Sequence, residues 1–451
     1  MRKLFGTDGI RGVAGEAPLD EPTIRRIGAA LVEEWKREGS KPRVILGRDT
    51  RISGEWITAS LVHSMMGAGI AKAMDVGVIS TPGLAYLTRD RGCDLGIMVS
   101  ASHNPYRDNG IKVFGKDGFK LTDAQELEIE KLIDELPGRA LGQARPSAVD
   151  CSPLVQRYID FLKSQVAADL GTLRIGLDVC HGAAHAIAPQ VFRDLGATVE
   201  VINDRPDGTN INLNCGSLHM SQLTSLVKER RLDFGVAFDG DADRSLFVTS
   251  SGKLFDGDFV LFSLATHLHR RSLLASNKVV GTIMSNLALE QAFAKNGIEL
   301  LRAAVGDRYV LEAMRETGAR LGGEPSGHVI LLDSHTAGDG ILTAVKLAEV
   351  LVGSGTRMDD LAEGFQPYPQ VLDGLTVRDK VPLDTPEVSL LIKDAQDRFE
   401  GSGRLVIRYS GTEPLLRIMA EGPDGSRVRT IVDELKAGLE DRLAQLARQK
   451  N

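Results

Sequence analysis

The chain has 451 residues, of which 42% are hydrophobic and 25% charged, an ordinary composition for a globular protein of several domains. Its net charge of −7 and the lack of a long lysine or arginine run do not favour a nucleic-acid partner. No apolar run approaches the roughly 20 residues that cross a bilayer, and the N-terminus lacks a signal-peptide core, so we expect a cytoplasmic protein with no membrane partner. The four cysteines form no Cys-x-x-Cys pair and are expected to be reduced thiols.

Strand-loop-helix signals recur three times along the chain, and each is followed by a second short apolar strand. The signals are VILGRDTRISG (44–54), IGLDVCHGAAH (175–185) and VGTIMSNLALEQAF (280–293), and the strands after them lie in DLGIMV (94–99), DFGVAF (233–238) and the looser ARLGGEPSGH (319–328). Apolar strands that alternate with helices indicate βαβ units and mainly parallel sheets. The weak repeat therefore predicts three related α/β domains, over residues 1–152, 153–252 and 253–366.

The last segment has a different pattern. The two prolines of PYPQ (367–370) indicate a linker, and LVIRYS (405–410) and LLRIMAE (415–421) are typical of strands. The final segment has apolar residues three and four apart and predicts an amphipathic helix. We expect a smaller C-terminal α+β domain over residues 367–451, which completes an α/β fold of four domains. Because ligands gather at the carboxyl ends of parallel strands, the polar loops there are expected to converge on one central cleft.

The sharpest chemical signal is the acidic loop DGDADR (239–244). The alternating carboxylates of Asp239, Asp241 and Asp243 directly after a buried strand form an oxygen-rich site that suits Mg²⁺. Arg244 and Ser250 stand where a calcium-binding EF-hand loop needs Gly and Glu, so that kind of site is not supported. The alternative is a solvated acidic turn, but three clustered like charges are costly without a cation.

The loop SASHNP (100–105) offers a nucleophile. The hydroxyl of Ser102, placed near a divalent cation, could carry a phosphoryl group and so divide one transfer into two. The alternatives are that the serines cap a turn and that His103 is structural. Lysines ordinarily lie at the surface. Lys112 is a candidate site residue only because it is close to Ser102 in the sequence.

Two more loops suit a phosphorylated sugar. Glu324, Ser326 and His328 of GEPSGH (323–328) offer an acceptor, a hydroxyl and an imidazole to sugar hydroxyls, although a plain turn stays open. The loop RYSGTEP (408–414) combines arginine, hydroxyl groups and an exposed glycine backbone, which together make a phosphate cradle. A surface turn with solvated arginines is the alternative for that loop.

Taken in order, SASHNP, DGDADR, GEPSGH and RYSGTEP resemble the motifs of the α-D-phosphohexomutase family, and the resemblance covers essentially the whole chain. It implies three related α/β domains and a smaller C-terminal domain around a central cleft. It also implies a phosphate carried on Ser102 and one Mg²⁺ per subunit, held by that phosphate together with Asp239, Asp241 and Asp243. A phosphosugar would be the substrate, and a homodimer is implied by the resemblance alone.

The resemblance also implies roles for the other matching positions. Glu324 and Ser326 would hold sugar hydroxyls, and Lys112 and His328 are the acid/base candidates. The remaining residues of the reacting end would be Arg244, His103 and Arg11, and the non-reacting phosphate would be held by Arg408, Ser410, Gly411, Thr412 and Arg417.

Within this family the opening KLFGTDGIRG, the serine loop SASHNP and VGDRYV (305–310) resemble the branch that acts on glucosamine phosphates, although Pro325 stands where that branch usually has glutamine. The implied activity interconverts glucosamine 6-phosphate and glucosamine 1-phosphate through a 1,6-bisphosphate, which feeds synthesis of UDP-N-acetylglucosamine and cell-wall precursors. The alternatives are a phosphomannomutase/phosphoglucomutase, a haloacid-dehalogenase-type phosphatase with Asp239 as nucleophile, and a non-catalytic phosphosugar sensor.

Overall fold

The computed structural model describes residues 4–6, 8–36, 41–70, 72–136, 148–410 and 414–449. The chain forms two compact units, each of which is described by itself: residues 1–282 with 303–362, and residues 283–302 with 363–451. Within the described ranges, no helix is both long and apolar enough to cross a membrane. All four cysteines are free, as expected from the sequence.

The first unit begins with a seven-stranded sheet in the order β1-β2-β6-β5-β3-β4-β7. Strands β5, β3, β4 and β7 run parallel, and β6, β2 and β1 extend the sheet with antiparallel pairing. The elements in chain order are β1 (Phe5–Gly6), β2 (Gly9–Val13), α1 (Glu21–Lys36), β3 (Arg43–Arg48), α2 (Gly54–Ala68), β4 (Lys72–Val78), α3 (Thr81–Asp90), β5 (Leu95–Val99), β6 (Asp108–Gly115), α4 (Asp123–Glu135) and β7 (Val149–Asp150).

A five-stranded sheet follows, in the order β12-β11-β10-β8-β9. Strands β10, β8 and β9 are parallel, and β11 and β12 continue the sheet as antiparallel strands. Its elements are α5 (Val155–Ser164), β8 (Arg174–Asp178), α6 (Ala184–Asp194), β9 (Thr198–Ile202), α7 (Ser221–Arg230), β10 (Phe234–Phe238), β11 (Ser245–Thr249) and β12 (Leu254–Phe255).

In the third segment, β13 pairs in parallel with β15, which pairs antiparallel with β16. Residues 283–302, which belong to the second unit, contain α9 and most of β14. The elements are α8 (Gly257–Arg270), β13 (Lys278–Thr282), α9 (Leu287–Lys295), β14 (Glu299–Ala303), α10 (Asp307–Thr317), β15 (Leu321–Gly323), β16 (Val329–Leu331), α11 (Gly340–Ser354) and α12 (Met358–Leu361).

The C-terminal part of the second unit is an antiparallel sheet in the order β17-β19-β18 with two helices. Its elements are β17 (Gln370–Thr376), α13 (Pro386–Asp397), β18 (Arg404–Tyr409), β19 (Leu415–Glu421) and α14 (Gly425–Gln449). Apolar residues of one sheet face, such as Leu375, Leu416 and Ile418, form a core with Val432 and Leu439 of α14. The predicted C-terminal α+β domain and its last helix are therefore confirmed.

The strands that precede the motif loops lie where the sequence predicts them. Strands β5 (LGIMV) and β10 (FGVAF) are buried along their whole length, because both faces of a parallel core are covered. Three α/β segments plus an antiparallel α+β segment confirm the predicted fold class. The exact domain boundaries stay a prediction.

Candidate active site

Ser102 follows the buried strand β5 and adopts a left-handed backbone conformation, with φ of 53°. A residue other than glycine is uncommon there, and such backbone strain is typical of functional sites. The side chain is buried, and its hydroxyl donates to Asp239 Oδ2 over 2.6 Å. The structure thus joins the predicted nucleophile to the predicted metal loop, although 137 positions separate the two residues.

A buried ion pair between Asp49 and Arg51 fixes the backbone of the serine loop. The Arg51 guanidinium donates to the carbonyl oxygens of Ser102 and Asn104, each over 2.8 Å. Asp49 accepts from the Ser100 hydroxyl over 2.7 Å, and Ser100 in turn accepts from the Ser102 N–H. No role for Asp49 and Arg51 was predicted from the sequence; the pattern that could have indicated one is the GRDTR stretch of the first strand-loop-helix unit.

The carboxylates of Asp239, Asp241 and Asp243 are buried, and one oxygen of each lies within 4.8 Å of the others. Ala242 between them has a φ of 56°, which turns the loop tightly enough to bring alternate side chains together. Burial and the two neighbouring carboxylates raise the pKa of Asp239 well above its ordinary value. Burial also opposes ionisation of Asp243, but the charges of Lys112, His328 and Arg244 hold its pKa well below that value.

This carboxylate set fits a hard divalent cation. Asp241 Oδ1 and Asp243 Oδ1 are buried and have no hydrogen-bond partner among the residues that the structure describes. Buried carboxylate oxygens without a partner are costly, and a cation removes that cost. Oxygen ligands from few carboxylates, completed by phosphate or water, are what Mg²⁺ prefers.

Lys112 lies on β6 and is buried among carboxylates rather than exposed. Its Nζ is 2.8 Å from Asp241 Oδ2, 3.4 Å from Asp243 Oδ2 and 3.0 Å from Asp8 Oδ2. Although burial alone would lower the pKa of Lys112, these carboxylates raise it well above its ordinary value. The lysine is therefore an ammonium in this arrangement.

The charges continue beyond Lys112. Asp8 also pairs with Arg11 and Lys120, and Lys120 pairs with Asp307 at the start of α10. Positive and negative groups thus alternate from the acidic loop to α10. Arg11 was predicted to lie in this region and does, with Nη1 3.4 Å from Asn104 Oδ1. Asp8, Lys120 and the Asp307 pairing were missed, because isolated charged residues carry no pattern that links them.

His103 and Arg244 lie beside the Ser102 hydroxyl. His103 Nδ1 is 3.3 Å from Ser102 Oγ and 3.4 Å from Arg244 Nη1. Burial, followed by the positive charges of Arg244 and Arg11, lowers the pKa of His103 to about 4. The imidazole is therefore neutral near pH 7.

The GEPSGH turn packs against the strand that leaves the acidic loop. Gly327 has a φ of 89°, its carbonyl accepts from the Ser245 N–H, and a Cβ there would lie 2.3 Å from the Ser245 carbonyl oxygen. Glu324 accepts from the Gly306 N–H over 3.0 Å. Ser326 Oγ is buried and has no hydrogen-bond partner within the described part of the chain. The turn therefore offers an unused hydroxyl next to an oriented carboxylate.

His328, at the end of this turn, faces the acidic loop. Its Nδ1 lies 3.8 Å from Asp243 Oδ2. Burial opposes protonation, but the adjacent Asp243 carboxylate raises the pKa of His328 above its ordinary value. Three of the four predicted loops therefore come together in the first unit.

The fourth predicted loop lies in the second unit. Arg408 on β18 and Arg417 on β19 stand directly opposite each other, and both line a cavity of about 430 Å³. Like charges in directly opposed positions of a sheet are unfavourable. The Ser410 carbonyl accepts from Lys380 Nζ over 2.7 Å, and Gly411 and Thr412 lie outside the described residues. That this loop faces the same cleft as the other three stays a prediction.

A serine hydroxyl on a buried carboxylate triad, carried by repeated α/β segments, is an arrangement suited to phosphoryl transfer. Four family models match the chain: phosphoglucomutase/phosphomannomutase α/β/α domains I (residues 2–138), II (156–252) and III (256–368), and the C-terminal domain (355–438). The chain belongs to the phosphoglucomutase/phosphomannomutase family, which confirms the resemblance predicted from its loops.

Within the family, similar curated proteins include phosphoglucosamine mutases. That of Solibacter usitatus is 47% identical over 430 residues, covering 95% of this chain and 96% of that protein. That of Deinococcus deserti is 46% identical and covers 98% and 99%, respectively. The confirmed family membership also leaves no support for the haloacid-dehalogenase alternative.

Solved structures share the fold. A phosphoglucomutase/phosphomannomutase family protein of Burkholderia thailandensis superposes with a TM-score of 0.80 at 24% identity, covering 98% of both chains. Aspergillus fumigatus N-acetylphosphoglucosamine mutase, in complex with GlcNAc-6P and magnesium, has a TM-score of 0.66 at 16% identity and covers 97% and 96%. At these identities the likeness concerns the fold alone.

Proposed function

We propose that this chain is an isomerase that interconverts glucosamine 6-phosphate and glucosamine 1-phosphate. Relatives with 42–47% identity over nearly the whole chain are phosphoglucosamine mutases, which supports this substrate over other hexose phosphates. The observation that carries the proposal is the buried Ser102 hydroxyl, which lies 2.6 Å from Asp239 Oδ2 within the carboxylate cluster. This is the placement that a phosphoryl carrier needs.

The proposed reaction has two balanced halves. Phosphorylated Ser102 gives its phosphoryl group to O1 of glucosamine 6-phosphate: the Oγ–P bond breaks and the O1–P bond forms, the O1 proton passes to a base, and Ser102 Oγ takes up a proton. The 1,6-bisphosphate then turns around, and its 6-phosphoryl group returns to Ser102 Oγ with release of glucosamine 1-phosphate. In this second half the O6–P bond breaks and the Oγ–P bond forms, Oγ gives up its proton and O6 takes one up, so no net proton is consumed.

Asp239, Asp241 and Asp243, with the phosphate on Ser102, would hold one Mg²⁺, which when bound neutralises charge on the phosphoryl group. In the unphosphorylated protein, Asp239 Oδ2 accepts a hydrogen bond from the Ser102 hydroxyl. Phosphorylation removes that proton and frees the oxygen. The same carboxylate thus orients the acceptor hydroxyl in one state and is available to a cation in the other.

The remaining groups bind and orient the sugar. Lys112 and His328 approach the acidic loop as N–H donors, so they can neutralise developing charge and return a proton to the sugar oxygen. Glu324 and the unused hydroxyl of Ser326 would bind sugar hydroxyls. The non-reacting phosphate would be bound by Arg408, Ser410, Gly411, Thr412 and Arg417.

The test is turnover of glucosamine 6-phosphate and glucose 6-phosphate, measured side by side with Mg²⁺ and a trace of hexose 1,6-bisphosphate. We expect a clear preference for the amino sugar and a loss of at least about 1,000-fold in Ser102→Ala. Ser426→Ala, at an exposed position of the second unit, is the control and should match the wild type. Equal or reversed preference would instead indicate a phosphomannomutase/phosphoglucomutase, and no turnover on either sugar would favour a phosphosugar sensor.

A further inference from the structure

The N-terminus of α3 contacts the acidic loop through Thr81, the first residue of that helix. The Thr81 N–H donates to the Asp241 carbonyl oxygen over 2.9 Å, and the Thr81 hydroxyl donates to Asp241 Oδ2. Both residues are buried, and 160 positions separate them in the sequence. Two hydrogen bonds from one residue fix both the backbone and the side chain of Asp241.

The two oxygens of Asp241 are consequently used in different ways. Oδ2 accepts from Thr81 Oγ1 and from Lys112 Nζ, whereas Oδ1 is buried without a hydrogen-bond partner in the described residues. A carboxylate is planar, so donors that fix one oxygen also fix the direction of the other. Oδ1 is therefore the oxygen left for a cation.

The position of Thr81 is itself strongly determined. Ser80 caps α3 by accepting from the Gly83 N–H over 3.1 Å, and the buried Tyr158 packs against Gly83, where a Cβ would lie 2.9 Å from Tyr158 Cδ1. The Tyr158 hydroxyl donates to Asp339 Oδ2 over 2.7 Å. Asp339 caps α11 by accepting from the Leu342 N–H over 2.9 Å. One buried tyrosine thus contacts the first turn of α3 and the N-terminal cap of α11.

The second of these helices contacts the next residue of the acidic loop. The Gly340 N–H, at the start of α11, donates to the Ala242 carbonyl oxygen over 3.0 Å. A Cβ at Gly340 would lie 2.6 Å from the Arg244 carbonyl oxygen, so only glycine allows this approach. The N-termini of α3 and α11 therefore hold residues 241 and 242 from two sides.

We propose that Thr81 is a positioning residue for metal binding: its hydroxyl holds Asp241 Oδ2 so that Oδ1 faces the cation. This inference rests on the magnesium site proposed above. Groups that orient a metal ligand through its second atom commonly change metal affinity by about 10–100-fold when they are removed. Thr81 does not touch the sugar or the phosphoryl group in this account; it acts through Asp241.

The experiment measures binding of Mn²⁺, as a probe for Mg²⁺, to the full-length protein by titration calorimetry, with Ser102 unphosphorylated. Thr81→Val removes the hydroxyl and keeps the shape, and we expect Mn²⁺ to bind at least about 10-fold more weakly. Thr81→Ser keeps the hydroxyl and should stay within about threefold of the wild type. Thr88→Val is the matched control, because Thr88 lies on the same helix, is equally buried and donates to Leu84 O within it.

The outcomes separate this inference from the proposed function. Wild-type affinity in a folded Thr81→Val protein, or an equal loss in Thr88→Val, would overturn the role of Thr81 while leaving the metal site in place. Absence of Mn²⁺ binding in the wild type would overturn the metal site and this inference with it. Should Thr81→Val fail to fold, Thr81→Ala and Thr81→Ser decide the question, since the serine variant should bind Mn²⁺ about 10-fold more tightly than the alanine variant.

Discussion

Lys112 contacts the carboxylates that would hold the proposed cation, so we expect the two to compete. Its ammonium contacts Asp241 and Asp243, whose other oxygens are buried and have no hydrogen-bond partner in the described chain. A buried ion pair is costly to break by removing one member, because the charge left behind has lost its compensation. Lys112 therefore provides a counter-charge to these carboxylates, and in the proposed mechanism it is also a donor near the phosphoryl group.

Replacement of this lysine by an apolar residue tests that double role. We expect Lys112→Met to lower stability by about 3–5 kcal/mol without divalent cation, because Asp8, Asp241 and Asp243 lose their shared partner. Added Mg²⁺ should restore more stability to the variant than to the wild type, while turnover falls at least about 100-fold. Thermal unfolding with and without Mg²⁺ measures the first effect, and Lys116→Met, at an exposed position, is the control. An equal Mg²⁺ response in both proteins would contradict the competition.

Pro325 is the residue at which the sugar loop departs from the usual pattern of the glucosamine-phosphate branch. Its carbonyl accepts from the Gly257 N–H, a bond that any residue at this position can make. We therefore expect Pro325→Gln to change the ratio of kcat/KM for glucosamine 6-phosphate over glucose 6-phosphate by less than about threefold. Glu324→Gln, which alters an oriented carboxylate, should change kcat/KM for both sugars far more. A large change of this kcat/KM ratio in Pro325→Gln would show that the residue at position 325 discriminates between the 2-amino and 2-hydroxyl groups.

At the scale of elements, the motif loops were predictable, and the contacts that hold them were not. SASHNP, DGDADR and GEPSGH each follow a short apolar strand, so their chemistry and their place at strand ends can be inferred together. Thr81 is an ordinary N-terminal helix residue in STPGL, and Tyr158 is an ordinary residue of an amphipathic helix. Their contacts with residues 241 and 339 arise only from tertiary packing, which local patterns do not encode.

The segment between β16 and α11 contains a buried histidine whose hydrogen bonds require the neutral ring. His335 Nδ1 accepts from the Ala337 N–H, so Nε2 carries the proton that it donates to the Pro82 carbonyl oxygen. Burial lowers the pKa of His335 to about 4. The unfolded chain binds this proton near pH 6.5 and the folded chain does not, so stability is lost as pH falls from about 6.5 to 4.

We expect His335 to account for about 3 kcal/mol of the stability that is lost between about pH 6.5 and pH 4. His335→Gln keeps a donor and an acceptor without a titrating group, so its stability should depend less steeply on pH. Chemical denaturation of both proteins at several pH values between 4 and 7 measures the difference. If the free energy of unfolding falls equally with pH in both proteins, His335 is not the neutral, buried imidazole described here.

At the scale of the whole molecule, one compact unit is built from two separate stretches of chain. Residues 283–302 belong with residues 363–451. Glu421 accepts from the Leu287 N–H, Arg404 donates to the Ser285 carbonyl, and Asn286 exchanges two hydrogen bonds with the backbone of Tyr368. A sequence pattern is read along the chain, so it predicts continuous domains. It does not reveal that residues 283–302 pack with the C-terminal segment.

Because residues 283–302 pack with residues 363–451, removal of the C-terminal segment should destabilise what remains. A protein of residues 1–366 keeps residues 283–302 but loses Glu421 and Arg404, together with the core against which they pack. We expect it to aggregate or to unfold well below the full-length protein, as measured by size-exclusion chromatography and thermal unfolding. A monodisperse fragment with the stability of the full chain would show that residues 283–302 do not depend on the C-terminal segment.

In the proposed mechanism, Ser102 carries the phosphoryl group that the sugar receives. The most direct measurement is a single turnover: protein whose Ser102 phosphate is labelled with ¹⁸O is mixed with unlabelled glucosamine 6-phosphate and no bisphosphate, then quenched and analysed by mass spectrometry of the Ser102 peptide and of the sugar product. We expect the label to appear in the phosphate of glucosamine 1-phosphate, while Ser102 carries the unlabelled phosphate that came from the 6-position. Retention of the labelled phosphate on Ser102 while unlabelled glucosamine 1-phosphate forms would contradict this mechanism.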